Sequence, residues 1–124
     1  MTRVTSLSKE QLLASEMSEA DLQDCVIAMA KSLGWRVHAE RAAINQRGKW
    51  STPIQGDEGY PDLTLTNETR LLFVELKSEN GKLTPGQEEW IRLLRSSHVK
   101  SFVYVWRPSQ WFSGEIERIL RGKE

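Results

Sequence analysis

Gly59-Tyr60-Pro61-Asp62-Leu63-Thr64-Leu65-Thr66-Asn67-Glu68-Thr69-Arg70-Leu71-Leu72-Phe73-Val74-Glu75-Leu76-Lys77 is the stretch whose reading decides the fold. Two β-type runs, Leu63–Thr66 and Leu71–Leu76, flank the polar residues 67–70, which is the pattern of a β-hairpin. If Asn67 and Arg70 close the loop as partners, antiparallel register sets Asp62 directly opposite Glu75. Like charges facing each other across a sheet repel, and unpaired carboxylates are costly to bury. A divalent cation held between them removes that penalty. Glu75 and Lys77, two apart on a strand, share a face, so Lys77 stands beside such a cation. The stretch therefore reads as a metal-dependent active site.

The rest of the chain sets bounds on that reading. Its 124 residues suit one domain with a real core. Lysines and arginines balance aspartates and glutamates, so any attraction to phosphate is local rather than global. The single cysteine, Cys25, excludes an internal disulfide and is compatible with a reducing compartment. The sequence has no apolar run of the roughly 20 residues a membrane span needs, nor the apolar stretch of a signal peptide. A soluble, cytoplasmic protein without membrane association is the expectation.

Residues 1–17 are weakly patterned and read as an N-terminal extension in which Ser8 caps a short helix running through Ala14; residues 18–124 read as the domain proper. Ser18-Glu19-Ala20-Asp21 resembles a capping box, and Leu22, Cys25, Val26, Met29, Ala30 and Leu33 follow at helical spacing until Gly34. At about 100° per residue, Glu19 falls about 50° from the centre of this apolar stripe, with Gln23 just beyond it. Glu19 then has two readings: a first-turn acid that favours the helix dipole, or a third carboxylate aimed at Asp62 and Glu75.

Residues 35–39 alternate as a strand, on which the lone His38 reads as structural. The long segment 41–59 lacks periodicity. Between Arg36 and Lys49 the four basic residues Arg36, Arg41, Arg47 and Lys49 stand against one acid, Glu40, with His38 and Trp50 nearby. This is either a phosphate-contacting arm with a ring for stacking or an ordinary solvated loop. Lys82 lies in a polar turn after the hairpin. Thr84-Pro85-Gly86-Gln87 starts a helix, and the cap alone accounts for a glutamine at its third position. Residues 102–106 read as a central strand, Arg107-Pro108-Ser109 breaks it, and Glu115, Ile116, Ile119 and Leu120 suggest a terminal helix. The whole order predicts an α/β domain, a small mixed sheet covered by helices.

Tyr60-Pro61-Asp62, the hairpin and Glu75-Leu76-Lys77 together resemble the PD-(D/E)xK nuclease superfamily with its restriction-endonuclease-like core. More closely, the chain resembles the VRR-NUC domain in its stand-alone phage and bacterial form. The resemblance covers residues 18–120 and takes in Gly34-Trp35, the segment 82–87 with Trp90, and Trp106-Arg107-Pro108-Ser109 with Trp111. The Glu-x-Lys triplet alone carries little weight; the ordered series of motifs carries much more. The resemblance implies that Asp62, Glu75 and the carbonyl of Leu76 bind Mg²⁺ or Mn²⁺, with Glu19 completing the acidic cluster. It implies that Lys77 orients or helps deprotonate the attacking water, and that Gln87 sits near the metal or the lysine. Expected contacts to DNA come from Arg36, Arg41, Arg47, Lys49 and Lys82. Likeness to junction-resolving enzymes further implies branched or Holliday-junction-like DNA as substrate and a homodimer. The competing reading is a non-catalytic DNA-binding or assembly module that retains the fold.

Overall fold

The structure is a computed structural model that describes residues 7–40, 43–44, 50–51, 54–97 and 102–123; for 43–44 and 50–51 the description is of backbone only. Its elements are α1 (Lys9–Glu16), α2 (Glu19–Ser32), β1 (Arg36–Ala39), β2 (Ala43–Ile44), β3 (Trp50–Ser51), β4 (Leu63–Thr66), β5 (Leu71–Leu76), α3 (Pro85–Ser96), β6 (Phe102–Trp106), α4 (Pro108–Phe112) and α5 (Glu115–Leu120).

The expected hairpin is β4–β5. Leu63 pairs with Val74 and Thr66 with Leu71, and the Asn67 amide donates to the Arg70 carbonyl at 3.1 Å, closing the loop on the anticipated pair. One residue beyond the ladder, this register sets Asp62 against Glu75. β1 adds antiparallel to β4, and β6 adds parallel to β5 after the α3 crossover, giving a mixed sheet in the order β1-β4-β5-β6. β6 is thus an edge strand and not the central one its apolar composition suggests. The centre is held by β4 and β5.

One face of the sheet is the core. Leu63, Leu65, Leu72, Val74, Leu76 and Trp106 bury against Leu22, Val26 and Ala30 of α2 and Ile116, Ile119 and Leu120 of α5. Each fully buried aliphatic contributes about 2 kcal/mol of transfer free energy, which makes this layer the main source of stability. α3 packs on β6, and it meets the β5 strand on the face that Glu75 occupies. The result is the helix-flanked α/β sheet of a restriction-endonuclease-like core.

The caps follow the sequence. Ser18 Oγ accepts from the Asp21 amide at 3.0 Å at the head of α2. Ser8 and Gln11 form a reciprocal capping box on α1, which runs two residues past Ala14 and packs against α4 with Ala14 buried. Two short features departed from expectation. α4 begins directly after Arg107, where only a break was read, because Pro108 is well suited to the first turn of a helix. The strands β2 and β3 pair within the segment read as a loop; two residues each are too few to leave a periodic signal.

Candidate active site

Alternation along β5 turns Leu72, Val74 and Leu76 into the core and leaves Phe73, Glu75 and, beyond the strand end, Lys77 on the opposite face. Glu75 is 2% exposed and Lys77 7%, unusual values for charged residues. Asp62 arrives from the other strand of the hairpin, half-buried, and its Oδ2 accepts the Leu76 amide at 2.9 Å. That bond ties the acid to the end of β5 and leaves its carboxyl within hydrogen-bonding reach of Glu75.

Gln87 closes the site from α3, and its two readings turn out to be one arrangement. Its Oε1 accepts the Thr84 amide at 2.9 Å, completing the capping box. With the oxygen committed to the cap, Nε2 is turned outward and donates to Glu75 Oε1 at 3.1 Å. The cap therefore fixes which end of the amide meets the carboxylate. Glu75 Oε2 is buried with no hydrogen-bond donor among the described residues. A proton shared with Asp62 or a cation would satisfy it. Without a cation the proton is favoured: burial above all, then the hydrogen bond to Asp62 and the charges of Asp62 and Glu19, push the Glu75 carboxyl up to about 9, while the Lys77 ammonium pulls the other way.

A contact that single-sequence reading did not identify assembles these parts. Gly59, at φ +98°, lies so close to the start of α3 that a side chain there would place its first carbon 2.6 Å from the Gln87 nitrogen. One at Gly86 would meet the Glu58 carbonyl oxygen at 2.9 Å. The two glycines let the corner before Asp62 dock on the turn that carries Gln87. Trp90 Nε1 donates to the Asp57 carbonyl at 3.2 Å, and the Tyr60 ring stands edge-on to Trp90 and Phe73 at 5.0 and 6.3 Å, which holds the corner in place. The sequence signal was available: two glycines, one on each side of the hairpin, each next to a site motif.

The remaining expected residues are placed as follows. Glu19 is exposed at the first turn of α2 and acts on Glu75 through its charge. Among the described residues no three His, Cys, Asp or Glu side chains gather into a group able to hold a metal ion, so the acidic centre is the pair Asp62–Glu75. Gln23, buried, donates to the Glu40 carbonyl at 3.4 Å rather than into the pair. Lys82 is exposed in the turn between β5 and α3. Arg36 is exposed and pairs with Thr66, at the end of the sheet away from Asp62, so the structure does not bring it to the acids. His38, also exposed, has Nε2 3.8 Å from Glu40 Oε1. Arg41, Arg47 and Lys49 lie outside the described residues.

The donor set suits a hard divalent cation. Two carboxylates and the neighbouring Leu76 carbonyl offer oxygen only, and an ion such as Mg²⁺ keeps several waters when protein ligands are few. The buried, donorless Glu75 Oε2 is the atom of this structure that such an ion would satisfy.

Residues 6–107 match the family described as the VRR-NUC domain. Neither the curated proteins nor the solved structures yield a match to the chain. No helix among the described residues is long and apolar enough to cross a membrane.

Proposed function

The chain belongs to the VRR-NUC domain family, a nuclease-type domain, and we propose that it is a metal-dependent endonuclease hydrolysing DNA phosphodiester bonds. The observation that carries this reading is the pair of half-buried Asp62 and buried Glu75, with Glu75 Oε2 lacking a donor among the described residues and Lys77 on the same face. Asp62, Glu75 and the Leu76 carbonyl would hold Mg²⁺ or Mn²⁺, and Glu19 adds negative potential from α2. When bound, the ion supplies Lewis acidity to the phosphoryl group and helps generate a nucleophile at neutral pH.

The chain's own residues do the rest. Gln87 pins Glu75 Oε1, so that the carboxylate presents its other oxygen to the centre. The Leu76 amide does the same for Asp62. Lys77, held on a nearly buried stem, places a positive charge where negative charge develops in the transition state, and it orients the attacking water. Phosphate contacts from Lys82 and the basic segment with Arg41, Arg47 and Lys49 would position DNA without reading its sequence. Arg36, at the far end of the sheet, would contact a more distant phosphate.

Branched DNA is the proposed substrate and a homodimer the proposed state, because a two-fold axis offers two sites to the symmetric strands of a four-way junction. The test is a cleavage panel of single-stranded, duplex, flap and four-way-junction DNA with Mg²⁺ and Mn²⁺, alongside light scattering. Cleavage that needs the ion and vanishes in Lys77→Ala while DNA binding persists supports the reading. Binding without cleavage by the wild-type protein leaves a non-catalytic module instead. A monomer by light scattering removes the two-site argument.

A further inference from the structure

The segment that follows Lys77 is held by a residue the proposed chemistry does not use. Arg107, the residue between β6 and α4, sends Nη1 to three backbone carbonyls: Ser78 at 2.9 Å, Glu79 at 3.2 Å and Gly81 at 2.7 Å. Three carbonyl oxygens converging on one point repel one another unless a cation stands there, and neutral donors do this less well than charged ones. Arg107 is itself anchored: its amide donates to Gln110 Oε1 at 2.9 Å, and its carbonyl accepts from the Gln110 amide at 2.9 Å. A second clasp lies alongside, where the Ser109 amide donates to Glu79 Oε1 at 3.0 Å.

The clasped segment lies over the lysine stem. A first side-chain carbon at Gly81 would sit 3.5 Å from Lys77 Cδ and 2.8 Å from Ser78 Oγ, so the Gly81 backbone closes directly on both. The Lys77 amide donates to the Trp106 carbonyl at 3.1 Å, one residue before Arg107. Backbone on one side and the clasped turn on the other thus confine Lys77 at 7% exposure. An unconfined lysine would spread its four-carbon stem over many rotamers.

We infer that Arg107 is a positioning residue for Lys77: by gathering the carbonyls of residues 78, 79 and 81, it packs the turn onto the lysine stem and keeps the side chain on the face that Glu75 occupies. The Arg107 guanidinium hydrogen-bonds these carbonyls rather than Asp62 or Glu75, so its effect passes through the turn. The inference rests on the nuclease reading for its consequence in catalysis, but the confinement of the turn stands independently of it.

The test compares wild type with Arg107→Met and Arg107→Lys in two measurements. One is single-turnover cleavage of a synthetic four-way junction with Mn²⁺ over a range of protein concentrations. The other is amide hydrogen exchange of residues 77–81 in the absence of DNA. Arg107→Met is expected to lower the maximal rate by about tenfold or more. The protein concentration giving half-maximal rate should stay unchanged, exchange in the turn should rise, and Arg107→Lys should restore part of both. A folded Arg107→Met with a maximal rate within about twofold of wild type overturns the inference. So does a shifted half-maximal concentration with an unchanged maximal rate, which would make Arg107 a DNA contact. Should Arg107→Met fail to fold, Arg107→Lys decides: faster exchange with a matching loss of rate supports the role, and faster exchange at wild-type rate contradicts it. Absence of cleavage by wild type itself is a failure of the nuclease reading and is recognisable as such.

Discussion

The β4–β5 hairpin has two ends, and they treat charge in opposite ways. At the turn, Asn67 Oδ1 accepts from the amides of Thr69 and Arg70, both at 2.9 Å, and from the Thr69 hydroxyl at 3.1 Å. The Arg70 guanidinium lies 4.7 Å from the centre of the Trp35 ring and donates to the carbonyls of Ile119 and Leu120 at 2.7 and 3.1 Å. Trp35 Nε1 reaches the same Leu120 carbonyl at 3.0 Å. A positive charge there meets carbonyl oxygens and an aromatic face, and the last helix is fastened to the hairpin. At the other end two carboxyl groups face each other, and a buried oxygen has no donor among the described residues. The difference teaches that one pair of strands can close the fold at one end while the other stays electrostatically incomplete, waiting for a positive charge from outside the chain.

The sharpest way to break this comparison is to exchange the fates of the two ends. Asp62→Ala or Glu75→Ala is expected to lower cleavage by about a hundredfold or more, with the metal-free protein as stable as wild type or more so, because the cost of burying a carboxyl group has gone. Arg70→Ala is expected to do the reverse, costing about 2–3 kcal/mol in chemical denaturation while the folded fraction cleaves at the wild-type rate. Unfolding in the acid variants, or lost activity in folded Arg70→Ala, would erase the distinction.

Acidity separates the two ends next. The folded, metal-free protein holds a proton on Glu75 up to about pH 9, whereas the unfolded chain releases it near the ordinary 4.5. Stability from this group is therefore complete below the ordinary value and declines as pH rises towards 9, by an amount on the order of a few kcal/mol. Urea unfolding from acidic to alkaline pH should show that decline in wild type and a flatter profile in Glu75→Gln; parallel profiles would mean that Glu75 is not the group involved.

Gln87 tests the joint between cap and site. Gln87→Glu keeps a residue able to close the capping box yet replaces the N–H that donates to Glu75 with an acceptor oxygen, so circular dichroism should show unchanged helix while cleavage falls about tenfold. Loss of helix would assign Gln87 to the cap alone. The smallest effect is expected farthest from the acids. Replacing Arg41, Arg47 and Lys49 by alanine should weaken DNA binding and lower the slope of log affinity against log salt by about 2 to 3. An unchanged slope would remove that segment from the interface.

Much of this is legible in the amino-acid sequence. The pairing of Asn67 with Arg70 fixed the register and so the opposition of Asp62 and Glu75, because side-chain period in a strand leaves no intermediate choice. Thr84 and Gln87 announced the start of α3 through a local motif that acts within four residues. Apart from the short elements α4, β2 and β3, what the sequence leaves unread depends on contacts between distant segments. Phe102–Trp106 is apolar enough for a central strand, yet its place at the edge follows from the crossover through α3, which composition does not encode. The Gly59–Gly86 approach and the Arg107 clasp join residues 27 and more than 25 positions apart, respectively, and neither leaves a periodic trace. Glu19 shows the limit from the other direction: its angle on α2 was read well enough to direct its charge toward Glu75, but an angle does not give a distance.

The central claim is that Asp62 and Glu75 form a cation site, and thermal unfolding with and without Mn²⁺ tests it most directly. The ion and the Glu75 proton compete for the same place, so the ion should raise the wild-type midpoint more at mildly alkaline than at mildly acidic pH. Glu75→Gln should lose that response at both. A wild-type midpoint indifferent to Mn²⁺, or an equal rise in Glu75→Gln, would contradict the account.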